Sequence, residues 1–105
     1  MVEKSVINKI EKYIKILREL NLPITAVFLF GSQVKGNARA DSDIDLLVVS
    51  PVFDDDRLAQ AGVLWKAAWR VDTRIEPIPV GVRTFQTDHI TPIYEIVRQE
   101  GLKIL

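Results

Sequence analysis

Phe28 to Val49 reads FLFGSQVKGNARADSDIDLLVV. The apolar run Val27-Phe28-Leu29-Phe30 ends at Gly31-Ser32, ten residues follow, and Asp43 and Asp45 then lead into a second apolar run, Ile44 to Val49. A short apolar run closed by glycine has the pattern of a buried strand. The glycine lets the backbone turn and lets its N–H groups approach an anion closely, and the Ser32 hydroxyl adds a donor. The bend is a phosphate cradle in outline.

Strand alternation sends Asp43 and Asp45 to one face and Ile44, Leu46 and Val48 to the other. Carboxylates two apart on a strand can share a hard cation, and two such ions about 3.5–4 Å apart clamp the oxygens of an in-line displacement at phosphorus. The alternative is an ordinary turn followed by solvated aspartates, which would repel each other by about 0.2–1 kcal/mol. A cation removes that repulsion, so the pattern points to a metal and a polyphosphate.

Gly31-Ser32, ten residues, then Asp43-x-Asp45 resembles the signature of the nucleotidyltransferases of the DNA polymerase beta superfamily. Within it the chain is most similar to the minimal, single-domain MNT-type branch, since Gly36, Arg39, Ser42, Asp43, Asp45 and Leu46 stand where that branch places such residues. It departs at Gln33-Val34-Lys35, where the branch often carries a basic residue sooner. The resemblance is strong from Val27 to Val49 and weaker over the remainder. It implies an α+β nucleotidyltransferase fold of the two-layer α/β type, a small mixed sheet of three to four strands against about three helices.

A length of 105 residues suits a single domain spanning 1–105, and a hydrophobic content of 48% is ordinary for a folded one. Fourteen basic and fourteen acidic residues cancel, so no overall field draws the chain to nucleic acid or to an anionic membrane. Lys35 and Arg39 form a local basic pair near the aspartates. The absence of cysteine excludes disulfides, thiolate metal sites and a thiol nucleophile, and is consistent with the cytoplasm. The opening MVEKSVINKIEKYIK interleaves charges with apolar residues, unlike a signal peptide, and no stretch reaches the roughly 20 apolar residues of a membrane span.

From Ser5 to Leu20, Val6, Ile7, Ile10, Ile14, Leu17 and Leu20 mark an amphipathic helix that covers the sheet, ended by Asn21 and Pro23. Ile24 to Phe30 is the first strand, a short helical segment precedes Gly36, and Asp43 to Ser50 is the second strand. Asp54-Asp55-Asp56 is expected to cap a helix over 57–70, with Leu58, Ala61, Leu64, Trp65, Ala68 and Trp69 as its buried stripe. The two tryptophans share a face, either in the core or on a partner surface. Thr73 to Val80 is a third strand, and Pro77 and Pro79 place it at an edge because both lack N–H groups on the same side.

Gly81 to Thr91 is expected to be a polar loop, in which the lone His89 is a surface residue. Thr91-Pro92 then opens a helix with Thr91 as its cap and Ile93, Ile96 and Val97 on its apolar side, and Gly101 stops it before an extended tail, Leu102 to Leu105.

The superfamily resemblance implies a third carboxylate on a neighbouring strand. Glu76, between Ile75 and Pro77, suits it better than Asp72 at the strand's beginning, with Arg74 beside it on that face. It further implies that Asp43, Asp45 and Glu76 hold Mg²⁺, as two ions, on an NTP, usually ATP. Gly31 and Ser32 would bind the β and γ phosphates, with Lys35, Gly36, Arg39 and Ser42 as further nucleotide contacts. Lys35 and Arg39 read equally well as solvated side chains.

Glu76 would help deprotonate a hydroxyl that attacks the α-phosphate and expels pyrophosphate. So short a chain leaves little material to bind an acceptor, and the resemblance supplies one, a tyrosine or other hydroxyl of a HEPN-domain toxin that receives AMP. Two other readings stay open, an antitoxin acting by contact alone and a small-molecule nucleotidyltransferase. Self-association is a further possibility, while the intact trio of acids favours transfer over contact.

Overall fold

The computed structural model describes residues 2–58 and 60–105. Along the chain run α1 (Lys4–Glu19), β1 (Ala26–Phe30), α2 (Ser32–Lys35), β2 (Ile44–Val49), α3 (Val52–Asp55), α4 (Ala61–Val71), β3 (Ile75–Val80), α5 (Val82–Thr87), α6 (Pro92–Glu100) and β4 (Leu102–Lys103). The strands form one mixed sheet in the order β3-β2-β1-β4. β1 runs antiparallel to both β2 and β4, and β2 is parallel to β3. The fold is the mixed α+β class expected, with three longer helices and three short helical segments among the described residues. No described helix is long and apolar enough to cross a membrane.

Alternation along the strands divides the core. Val27 and Leu29 of β1, Ile44, Leu46 and Val48 of β2 and Ile75 of β3 share one face, packed against α1 and α4. On α1 the buried side chains are Val6, Ile10, Tyr13, Ile14 and Leu17, the i, i+4, i+7, i+8, i+11 stripe of a helix lying on a sheet. Tyr13 joins that stripe because its hydroxyl donates to the Leu64 carbonyl of α4 at 3.0 Å. Leu20, assigned to the stripe from periodicity, is half exposed, because the helix ends there and Asn21 takes the left-handed conformation, φ 63°.

The opposite face carries Ala26, Phe30, Leu47, Val49 and Val80, covered by Tyr94 and Val97 of α6 with Phe85 of α5 at the margin. Helices therefore line both sides of the sheet. Arg98 of α6 ties this second layer together, donating to the Phe85 and Asp88 carbonyls with its guanidinium 4.9 Å from the Phe85 ring centre.

β3 lies at the sheet edge, as its prolines require. The Arg74 carbonyl accepts from Ile44 and the Val80 carbonyl from Ser50, so alternate residues of β3 face β2 and Pro77 and Pro79 face outward. The outward Pro79 carbonyl accepts instead from Arg57 Nε at 3.1 Å.

Several local expectations are corrected. Residues 82–87, expected to be loop, form α5, and the acid expected to cap α4 caps α5 instead: the Asp54 carboxylate accepts from the Arg83 and Thr84 amides at 3.0 and 3.2 Å. Gly81 makes room for it, since a Cβ there would lie 1.9 Å from Asp54 Oδ1. α4 starts only at Ala61, because Asp56 closes a local turn on the Leu58 amide. Leu58, thus outside the helix, is 69% exposed, and Trp69 is 59% exposed on the far side of α4, stacked edge-on against Trp65.

Thr91 does not cap α6 with its side chain; its hydroxyl donates to Asp88, whose carboxylate also accepts the Ile90 and Thr91 amides. Tyr94, not Ile96, is buried on α6, and Ile96 faces solvent. Part of the tail expected to be merely extended is β4, paired to β1 through Phe28 and Leu29.

Candidate active site

The sheet register places the acids. Phe30 of β1, Asp45 of β2 and Glu76 of β3 are successive partners across the sheet, so their side chains share a face. In the next row on that face stand Phe28, Leu47 and Ile78, and the second layer reaches from there to Phe30 at the margin of the acids. Asp43, two residues before Asp45 and just outside the strand, projects to the same side. Asp43, Asp45 and Glu76 each offer a carboxylate oxygen, and these oxygens lie within 4.8 Å of one another. Asp72 is not among them. It accepts from Lys9 Nζ at 2.7 Å and from Arg74 Nη2 at 3.0 Å, so of the two acids left open by sequence only Glu76 converges with the pair.

Gly31 closes the site from the β1 side. Its φ of 80° and ψ of −150° favour glycine, and a Cβ there would stand 2.6 Å from Asp45 Oδ2. The bend thus lies directly against the carboxylate. Ser32 then begins α2, and Gly36 ends it with a left-handed φ of 81°.

Burial, and then crowding, sets the electrostatics of Asp45 and Glu76. Burial pushes the Asp45 carboxyl up, and repulsion from Asp43 adds to this while a hydrogen bond shared with Glu76 works against it. Glu76 is pushed up too, first by burial, then by that hydrogen bond to Asp45 and by the negative charge of both aspartates. Three hard oxygen donors, two of them on carboxyls that resist ionisation, suit a divalent cation, which would supply the missing positive charge.

Ser42 Oγ accepts from the Arg39 amide at 2.7 Å, closing a turn in the loop before β2. Lys35 faces Glu100 at 3.9 Å, with both side chains more than half exposed. Arg39 is exposed on the rim of a polar cleft of about 280 Å³ that also borders Gly36. His89 pairs with Glu95 at 3.2 Å on the surface, away from any acidic trio.

Two residues take roles that the sequence reading did not give them, Arg74 having been expected beside Glu76 on its face. Gln33 is buried, and its amide points to the Ser42 and Asp43 carbonyls at 3.5 and 3.4 Å. Arg74 bridges Asp72 and the Ala40 carbonyl. Neither is announced by any local motif.

Residues 10–104 match the family described as nucleotidyltransferase domain. The chain belongs to that family. As a member it is a nucleotidyltransferase, and the bend and acids described above are the part of this nucleotidyltransferase in which donors and carboxylates meet. Among solved structures it is similar to a chain of a toxin–antitoxin crystallised with AMP-PNP, 27% identical, with a TM-score of 0.64 over 94% of this chain and 72% of that one. It has the fold of a chain in a mutant of the toxin–antitoxin MntA–HpeT, 24% identical, TM-score 0.63, over the same shares of the two chains. No curated protein matches the sequence.

Proposed function

We propose that this nucleotidyltransferase moves AMP from ATP to a hydroxyl of a protein partner, a HEPN-type toxin that it thereby neutralises, with Asp43, Asp45 and Glu76 as the holders of Mg²⁺. The observation that carries the reading is the convergence of those three carboxylates against the Gly31 bend. Support for the nucleotide and the partner comes from the similar chain, which belongs to a toxin–antitoxin crystallised with an ATP analogue. Mg²⁺, when bound, neutralises the triphosphate and the charge that develops on the departing pyrophosphate.

The chain's own residues do the rest. The backbone at Gly31 and the Ser32 hydroxyl receive the β and γ phosphates, donating N–H and O–H groups to their oxygens. Lys35 can turn to the phosphates at little cost, because its pairing with Glu100 is exposed and long. Arg39 and Gly36 border the polar cleft that Gln33 and Arg74 also line, and Ser42 shapes the loop with its oxygen while keeping its proton to donate. Glu76 accepts the proton of the acceptor hydroxyl as its oxygen bonds to the α-phosphorus and the bond to the bridging oxygen breaks, releasing pyrophosphate. Placement in line and charge neutralisation carry the acceleration, since phosphoryl transfer asks little covalent work of the protein.

The test is incubation with ATP and Mg²⁺ together with the toxin partner, followed by intact-protein mass spectrometry. The partner is expected to gain the mass of AMP in a reaction that stops on chelation. Absence of magnesium-dependent nucleotide binding, with and without partner, would leave a contact-only antitoxin in its place.

A further inference from the structure

We infer that Arg74 is a positioning residue for the carboxylate site, holding the loop between α2 and β2 so that Asp43 stays within reach of Asp45 and Glu76. This rests on the reading of the trio as a divalent-cation site. Asp43 is the exposed member of the three and ends a stretch, 37–43, that belongs to no helix or strand. Its position is therefore only as definite as the ties on that stretch.

Arg74 ties the loop on both sides of Asp43. Its Nη1 donates to the Ala40 carbonyl at 2.8 Å, and its own carbonyl accepts the Ile44 amide at 2.8 Å. The guanidinium is itself fixed, with Nε and Nη2 donating to Asp72 at 3.1 and 3.0 Å and Asp72 accepting from Lys9 of α1 at 2.7 Å. A planar fork of donors can bond Asp72 and Ala40 at once, whereas a lysine cannot reproduce that geometry. The Gln33 contacts are near the outer limit for a hydrogen bond, and the Arg39–Ser42 turn is internal to the loop and anchors it to nothing else. Beneath the loop the cleft of about 280 Å³ lies open between Glu3, Val6, Gln33 and Arg74, so the loop stands off the body and Arg74 is the strut across the gap.

Mn²⁺ binding to the full chain without nucleotide, followed by electron paramagnetic resonance, reads the geometry of the trio independently of catalysis. Wild type is expected to bind and Asp45→Asn to lose binding. Arg74→Ala is expected to weaken Mn²⁺ about tenfold, the low end for loss of a group that orients metal ligands. Arg74→Lys should fall between, and Asp72→Asn, which leaves the Ala40 contact in place, should weaken it less than Arg74→Ala.

Wild-type affinity in folded Arg74→Ala would overturn the inference while leaving the metal site intact. Failure of wild type to bind Mn²⁺ would overturn the site reading and this one with it. Should Arg74→Ala not fold, Arg74→Lys decides in the same way. Equal losses in Arg74→Ala and Asp72→Asn that follow their melting temperatures would mean a merely structural role and also overturn it.

Discussion

Asp45 combines two demands that conflict at the scale of a single residue. It sits in a strand between Ile44 and Leu46, both fully buried, yet carries a charge that burial and Asp43 oppose. Replacing Asp43 and Asp45 together by Asn is therefore expected to abolish nucleotide transfer while leaving the thermal midpoint unchanged or raised, as differential scanning calorimetry alongside a transfer assay will show.

Asp72 behaves in the opposite sense. Hydrogen bonds from Arg74, and then from Lys9, hold its carboxyl well below the usual carboxylate range. A depressed folded-state pKa contributes stability that is present above the unfolded value, near pH 4, and is lost as pH falls toward the folded one. Wild type should thus lose denaturant resistance below about pH 4, and Asp72→Asn should show a flatter decline there and a deficit of about 1–3 kcal/mol at neutral pH. Urea midpoints measured across that range test both. The spacing of Gly31-Ser32 and the two aspartates was legible in the sequence because it follows from one bend and one strand alternation. Glu76 was preferred to Asp72 for its apolar flanks, but the two lie only four residues apart, and it is their partners that separate them: Glu76 stands opposite Asp45 and Asp72 accepts from Lys9 and Arg74.

At the scale of elements, the helices with a broad apolar stripe were legible and the short ones were not. α1 and the body of α4 follow from 3.6-residue periodicity, whereas α5 has six residues, no buried side chain of its own and a cap borrowed from a segment nearly thirty residues earlier. Such a helix leaves almost no local trace. Asp54→Ala is expected to expose the first turn of α5, seen as faster hydrogen exchange at the Arg83 and Thr84 amides than in wild type, with the amides of α1 unchanged. The displaced start of the 57–70 helix has a related cause. Its apolar residues were read as one continuous helix, but the turn closed by Asp56 removes Leu58 from the helix altogether.

Over the whole molecule, stability and function occupy different parts of one sheet. The face toward α1 and α4 holds the largest core, while the acids stand at one end of the other face, beyond the cover that α5 and α6 provide. Truncating Leu46, fully buried on the first face, to Ala should cost about 2–5 kcal/mol in a urea titration. The Asp43 and Asp45 replacements should cost none. Each substitution thus tests a different layer, and a protein in which the two effects coincided would contradict this division.

Local order, the alternation that puts Asp43 and Asp45 on one face, the glycine bend before them, the stripe of α1 and the edge position of the proline-bearing strand, was determined by the sequence alone, because each depends on residues within a few positions of one another. The tertiary structure alone decided that Glu76 meets the pair while Asp72 turns to Lys9 and Arg74, that Asp54 starts α5, and that the chain's last strand seals β1. Those outcomes depend on sheet register and on partners far apart along the chain, and strand pairing is a property that no single segment carries.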